Sequence, residues 1–342
     1  RFSVQYIFYI LFLLLGIVFT QVPEGESIRK SILFNLSGPI LLGVAALYFY
    51  QRPIDKEKVF NALFFMLLPL CSMISYLYFR TPDLKEIVFA STANFEASGG
   101  FGPNQVATAI GLGIFIITTF ILTRRKLTGY FFLDYILLVY FIYRGLLTFS
   151  RGGVFTVAGA LIVFSFFYLL HKRVSIGVFF KYILTAGFFI LAIWIYTSGI
   201  TGGMLNNRYT GKNASGVQKK DITSGRADIF AVQFENFLVN PLGIGVGNGK
   251  YERKKRLKKV TSTSHSEIGR LLEEHGYIGL LLLIILTTIP LFNFFRSTNY
   301  QRAFIISFYV FWFLTINHSA MRIALPGFIY GLSLIHITGN EK

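Results

Sequence analysis

Three side chains in this sequence have the chemistry to hold a diphosphate and activate a hydroxyl. They are Arg151 in "TFSRGGVF" (148–155), Arg226 in "SGRADIF" (224–230) and His265 in "SHSEIG" (264–269). Two guanidinium forks can grip a diphosphate through paired hydrogen bonds. A neutral imidazole beside them can take the proton of an alcohol. Together they would move a group from a diphosphate leaving group to a hydroxyl. Taken singly, each has an ordinary structural role as well: Arg151 as an arginine snorkelling to the membrane edge, Arg226 and His265 as solvated surface residues.

The local signals place each one. Gly152 and Gly153 after Arg151 permit a tight turn or the close approach of another segment. Ser224 is a candidate N-cap, Asn240-Pro241 a candidate stop, and Ile229, Phe230, Phe234, Phe237 and Leu238 fall on one helical face. That predicts a helix lying on the membrane or on the helix bundle, with Arg226 in its first turn. A cation gains nothing from a helix N-terminus, but an arginine beside free N–H groups makes a phosphate site. Ser264 and Glu267 fit a capping box and Gly276 a helix stop. This makes His265 the first helical residue, and the positive end of the helix dipole would hold its ring neutral.

Other chemistries find little support. There is no HExxH, and His265 and His275 fall on different helical faces, so a zinc site is not expected. Cys71 is the only cysteine and can form no disulfide within the chain. Gly243, Gly245, Gly247 and Gly249 alternate in "NPLGIGVGNG" (240–249), which breaks the dinucleotide fingerprint and reads as a pliable loop. The basic run "KYERKKRLKKV" (250–260) reads as a solvated, mobile segment. Its Lys254, Lys255 and Arg256 suit anionic lipid headgroups or an anionic sugar polymer rather than nucleic acid.

The elements that must position these residues are membrane helices. The chain is 54% hydrophobic, with 38 phenylalanines and a formal net charge of +17. Apolar runs near the bilayer-crossing length recur at 2–20, 31–50, 59–79, 104–122, 130–149, 153–170, 177–197, 277–295, 302–317 and 323–338. The last two are short enough for a bent hairpin. The expected fold is all-α: a polytopic helix bundle of about ten spans with one large extracytoplasmic loop carrying short helices. The expected divisions are 1–197, the loop 198–276, and 277–342. Basic short loops at 123–129, 171–173, Arg296 and Arg302 belong in the cytoplasm. That puts 80–102, 150–152, 198–276 and 318–322 outside. The basic long loop does not count against this, because long loops translocate largely regardless of charge.

In this order the motifs resemble the O-antigen ligase and polymerase superfamily. The likeness rests on "SRGG" after an apolar span, "SGRADIF", "NPLGIGVGNG" and "SHSEIGRLLEEHGYIGLLLL", with "GGFGPNQVATAIGLG" (99–113) as a further motif. It covers roughly residues 95–285, while the first 90 residues match only as generic spans. The resemblance implies a bacterial inner-membrane enzyme with its active site facing the periplasm. It would pass a glycan from a polyprenyl diphosphate (undecaprenyl diphosphate) carrier to an acceptor hydroxyl, inverting the anomeric centre, with no metal or cofactor. In the ligase the acceptor is lipid A-core; in the polymerase it is another carrier-linked repeat; a protein acceptor is a third choice. Arg151 and Arg226 would hold the diphosphate, His265 would be the base, and Arg322 in "NHSAMR" could add a phosphate contact. Asn104, Gln105 and Glu267 could meet sugar hydroxyls, or Asn104 and Gln105 could simply cap a helix. Ser266 and Glu267 stand where the family often has Asn, which alters the expected acceptor contacts, and Phe230 replaces a frequent Trp. A flippase for the same lipid would instead show charged pairs inside spans and repeated halves, and the sequence has neither. A membrane-anchored interaction protein is the remaining class.

Overall fold

Apolar runs became helices along most of the chain. The computed structural model describes residues 3–81, 87, 89, 92–257 and 264–339. The helices in chain order are α1 (Val4–Leu15), α2 (Ile28–Phe49), α3 (Lys56–Arg80), α4 (Pro103–Leu122), α5 (Phe131–Leu147), α6 (Arg151–His171) and α7 (Ile176–Ile200). There follow α8 (Met204–Tyr209), α9 (Arg226–Val239), α10 (Gly249–Leu257), α11 (Glu267–Phe295), α12 (Asn299–His318) and α13 (Ala324–Leu332). The only strands among the described residues are β1 (Pro53–Asp55) and β2 (His336–Thr338), three residues each. The fold is therefore all-α. Some starts carry ordinary caps: the Ser27 side chain accepts from the Lys30 N–H, Asp55 from Glu57, and Thr298 with Gln301 forms a full capping box.

Among the described residues, five helices are long and apolar enough to cross a membrane: α2, α3, α4, α6 and α11. Their outward faces fit lipid. On α11, Leu281, Ile284, Phe292 and Phe295 stand exposed, and on α7 so do Leu184, Phe188 and Ile195. Exposed apolar area on this scale is not sustained in water. The expectation of a tenth span at 323–338 needs correction. α13 has only 9 residues and gives way to β2. A helix of that length rises about 14 Å, half of what the hydrocarbon core requires.

The chain divides into two compact units, residues 1–54 with 223–336, and residues 55–222 with 337–342. The polar segment 198–276 is thus shared, α8 going to the second unit and α9, α10 and the start of α11 to the first. In the first unit α2 packs on α13, and α11 packs on α1, α9 and α12. Its core holds Tyr6, Tyr9, Leu42, Leu271, Leu282, Trp312 and Tyr330. In the second unit α4 lies at the centre against α5 and α6. The close approach expected at the "SRGG" glycines occurs there: a Cβ on Gly153 would stand 2.5 Å from the Ala107 Cβ.

Candidate functional site

α9 begins at Arg226, within a residue of the start that the expected Ser224 cap implied, but not by that cap. Ser224 adopts φ 60° and Gly225, the residue before the helix, φ 78°. The capping side chain is Thr223, whose hydroxyl accepts from the Ala227 N–H at 3.3 Å. The helix is also turned differently from its apolar pattern. Gln233 and Asn236 are buried beside Val232 and Phe237, while Phe230, Phe234 and Leu238 are 42%, 44% and 59% exposed. The polar side chains go inward because a carboxylate waits there. Glu273 of α11, fully buried, accepts from Asn236 Nδ2 at 2.8 Å and Gln233 Nε2 at 3.3 Å, and forms an ion pair with Arg253. Buried charge is tolerated only when paired and hydrogen-bonded in this way.

The same requirement explains a second buried cluster one turn earlier. Arg270 pairs with Glu267 and, at 2.6 Å, with Glu274. Glu267 also accepts from the Met321 N–H at 3.1 Å. Glu267, expected to contact sugar, is therefore wholly buried and occupied with joining α11 to the turn after α12. Nor does it complete a capping box. The N-cap of α11 is Ser266, which accepts from the Gly269 N–H, so His265 lies outside the helix, one residue before the cap. The break expected at Gly276 is present, with φ 59° and ψ −136°, but a second helical segment follows it without a gap.

His265 is largely buried, and its ring pKa is pushed down to about 4. Burial is the main cause, followed by the positive charges of Arg226, Arg322 and Arg253. The imidazole is neutral at pH 7, as the sequence led us to expect, but desolvation and three cations are responsible rather than a helix dipole. Arg322 donates from Nη2 to the Ser264 carbonyl at 3.2 Å and stacks 4.7 Å over the Phe34 ring. Its own pKa is lowered, chiefly by burial. A cavity of about 390 Å³ brings these groups together: Arg226, Phe230 and Gln233 from α9, then His265 and Ser266, and Asn317 at the end of α12. Its size and mixture of aromatic, amide, hydroxyl and charged groups suit a polar organic ligand.

Residues 136–284 match the O-antigen ligase family. This O-antigen ligase match supports the superfamily that the motifs resembled, over a narrower stretch than expected. It takes in Arg151, Arg226 and His265 but stops short of Arg322 and begins after Asn104 and Gln105. No curated protein and no solved structure matches the chain.

Arg151 belongs to the second unit, as the first residue of α6, and donates from Nη2 to the Ile222 carbonyl at 2.6 Å. Sequence reasoning missed its cationic neighbours. Arg208 of α8 is buried and donates from Nε to the Phe149 carbonyl at 3.1 Å. Lys219 has its pKa lowered, first by burial and then by Arg208 and Arg151. Also in that unit, Asn104 is at the second position of α4 and accepts from the Ser150 hydroxyl at 2.9 Å. It is not the N-cap of α4, which is Gly102, with no side-chain cap bond. Gln105 follows it, half-buried in the same turn.

The basic run is more ordered than expected. Residues through Leu257 form α10, with Arg253 buried on Glu273 and Arg256 paired at the surface with Glu235 at 3.1 Å. Lys254 and Lys255 are exposed; Lys258, Lys259 and Val260 of this run, and Thr261–Thr263 after it, lie outside the described residues. The glycine-rich loop is a fitted strap rather than a pliable one. Ile244 and Gly245 donate to the carbonyls of Glu273 and Glu274. Gly245, at φ 89°, passes so close to Phe19 that a Cβ would stand 2.2 Å from its carbonyl oxygen.

Proposed function

We infer that this protein transfers a glycan en bloc from a polyprenyl diphosphate carrier to an acceptor hydroxyl at the periplasmic face of the bacterial inner membrane, in the manner of an O-antigen ligase. The observation that carries this reading is the cavity in which Arg226 and a neutral His265 face the same space. The O-antigen ligase match over residues 136–284 supports it.

The step balances without a redox partner. The acceptor hydroxyl gives its proton to the His265 ring as its oxygen forms a bond to the anomeric carbon. The bond from that carbon to the phosphate oxygen breaks, and the diphosphate leaves with the electron pair on the opposite side, inverting the centre. Arg226 neutralises the growing charge on the leaving phosphate, aided by the first-turn N–H groups of α9. Arg151, among the cations of the second unit, has the charge and fork geometry to hold phosphate, and its contribution is read from its own substitution. Exposed Lys254 and Lys255 attract anionic headgroups or acceptors.

The test uses purified protein in nanodiscs, a carrier-linked glycan, and lipid A-core or a second carrier-linked repeat as acceptor. His265→Gln should abolish turnover while leaving donor binding near normal. Arg226→Lys should weaken donor binding, because a point charge replaces a fork. Undiminished transfer in both variants refutes the reading. Transfer to the carrier-linked repeat alone makes the enzyme a polymerase.

A further inference from the structure

We propose that Gln233 is a positioning residue for His265, acting through the hydroxyl of Ser264; this rests on His265 being the base. The His265 ring makes no hydrogen bond among the described residues, so its place is set by the backbone on either side. That backbone is closed by one hydroxyl. Ser264 Oγ donates to the Ser266 carbonyl at 2.6 Å and accepts from the Ser266 N–H at 3.2 Å, enclosing residue 265. Gln233 Nε2 donates to the same oxygen at 3.0 Å.

The amide cannot be turned round. Nε2 also faces Glu273 Oε2 at 3.3 Å, and a flipped amide would set oxygen against carboxylate. Glu273 is in turn fixed by Arg253 and Asn236. A rigid line of bonds therefore runs from the buried ion pair through Gln233 to the turn that carries the imidazole.

The other end of the amide shows what this arrangement costs. Gln233 Oε1 is buried and has no hydrogen-bond partner among the described residues. It lies against Gly269, where a Cβ would come within 2.4 Å of it. Leaving a buried acceptor unsatisfied is unfavourable, and an apolar side chain of similar shape would avoid it. The fold accepts an orphaned oxygen because the nitrogen holds Ser264.

The experiment measures steady-state transfer for Gln233→Leu, Ser264→Ala, their combination, and Ser264→Thr, with His265→Gln alongside. Each single loss should lower kcat by about ten- to a hundred-fold, the effect of misplacing a catalytic group, with donor KM little changed. The double variant should be no worse than the poorer single, since both substitutions break the same Gln233–Ser264 link to the turn. Ser264→Thr, which keeps the hydroxyl, should recover at least about ten-fold over Ser264→Ala. Should Gln233→Leu fail to fold, Ser264→Ala and Ser264→Thr carry the comparison. Losses that multiply, or kcat within about two-fold of the parent in a folded Gln233→Leu protein, overturn the positioning role. If His265→Gln itself transfers normally, the underlying reading of the base fails instead.

Discussion

Replacing Arg226 with Gln should raise the pKa of His265, and the size of the rise can be bounded. The ring sits at about 4 against an ordinary 6.5, with burial the largest cause and Arg226 the next. The whole displacement corresponds to about 3 kcal/mol. Burial takes the largest share, and Arg226, Arg322 and Arg253 divide the rest in that order. A cation across a small cavity, in a medium of intermediate dielectric, contributes about 1 kcal/mol, so Arg226→Gln should lift the pKa by about 0.5–1 unit. The direction follows from like charges: with one cation gone, the imidazolium is less disfavoured. The sign for stability is also fixed. The folded-state pKa lies below the unfolded value, so folding resists protonation. No penalty exists well above pH 6.5; it grows as pH falls through the interval to about 4 and is complete below that. The assay is NMR titration of ring-labelled histidine in nanodiscs, with the His265 signal assigned by its loss in His265→Gln. In parallel, kcat/KM should stay level from pH 8 to about 5 and fall only towards pH 4. A ring that titrates near 6.5 in the parent protein refutes the reasoning. So does one that does not move upward in Arg226→Gln. A bound diphosphate, which neutralises the same arginine, should shift the ring in the same direction, so donor binding would make the base stronger.

Three further outcomes follow from the buried network and the helix break. Glu273→Ala removes the carboxylate of a buried ion pair and leaves Arg253 uncompensated, so thermal unfolding should report a loss of about 3–5 kcal/mol. Gly276→Ala places a Cβ 2.1 Å from the Pro241 carbonyl oxygen at φ 59°; a destabilisation of about 2 kcal/mol or more should appear in the same measurement. Arg322→Met can keep an apolar contact with the Phe34 ring but loses the cation–π interaction and the bond to the Ser264 carbonyl, and should lower kcat about ten-fold with a loss of stability of no more than about 1 kcal/mol, as checked by parallel rate and melting assays.

The helices were legible because apolar runs are local signals, and the α9 helix with Arg226 in its first turn was foreseen for that reason. The cap at 264–266 was misplaced because Ser264 and Ser266 are equally good capping residues by type; only the structure shows that Ser264 spends its hydroxyl on the turn around His265. The face of α9 was misread for a different reason. Its periodicity shows where apolar side chains gather, but not that Glu273, 37 positions beyond Asn236, draws the polar ones inward. Arg253 looked like one more solvated lysine or arginine because its partner is 20 positions away. Gln233 carried no signal at all: a lone glutamine in an amphipathic helix resembles any surface residue. The family motifs marked Arg226 and His265, and the side chains that fix them in place had to be read from distances.

The break at Gly276 has a mechanical consequence. Residues 267–275 follow the turn that holds His265, 277–295 are the apolar stretch of a helix long enough to cross a membrane, and no slack chain separates them. Just past the joint, the Tyr277 N–H is tied to the Pro241 carbonyl. A lipid leaflet thicker or thinner than the rod prefers makes it lean. With a fixed elbow in place of a flexible tether, such a lean would pass to the turn around His265, and the proposed transfer would then respond to the thickness of the surrounding membrane.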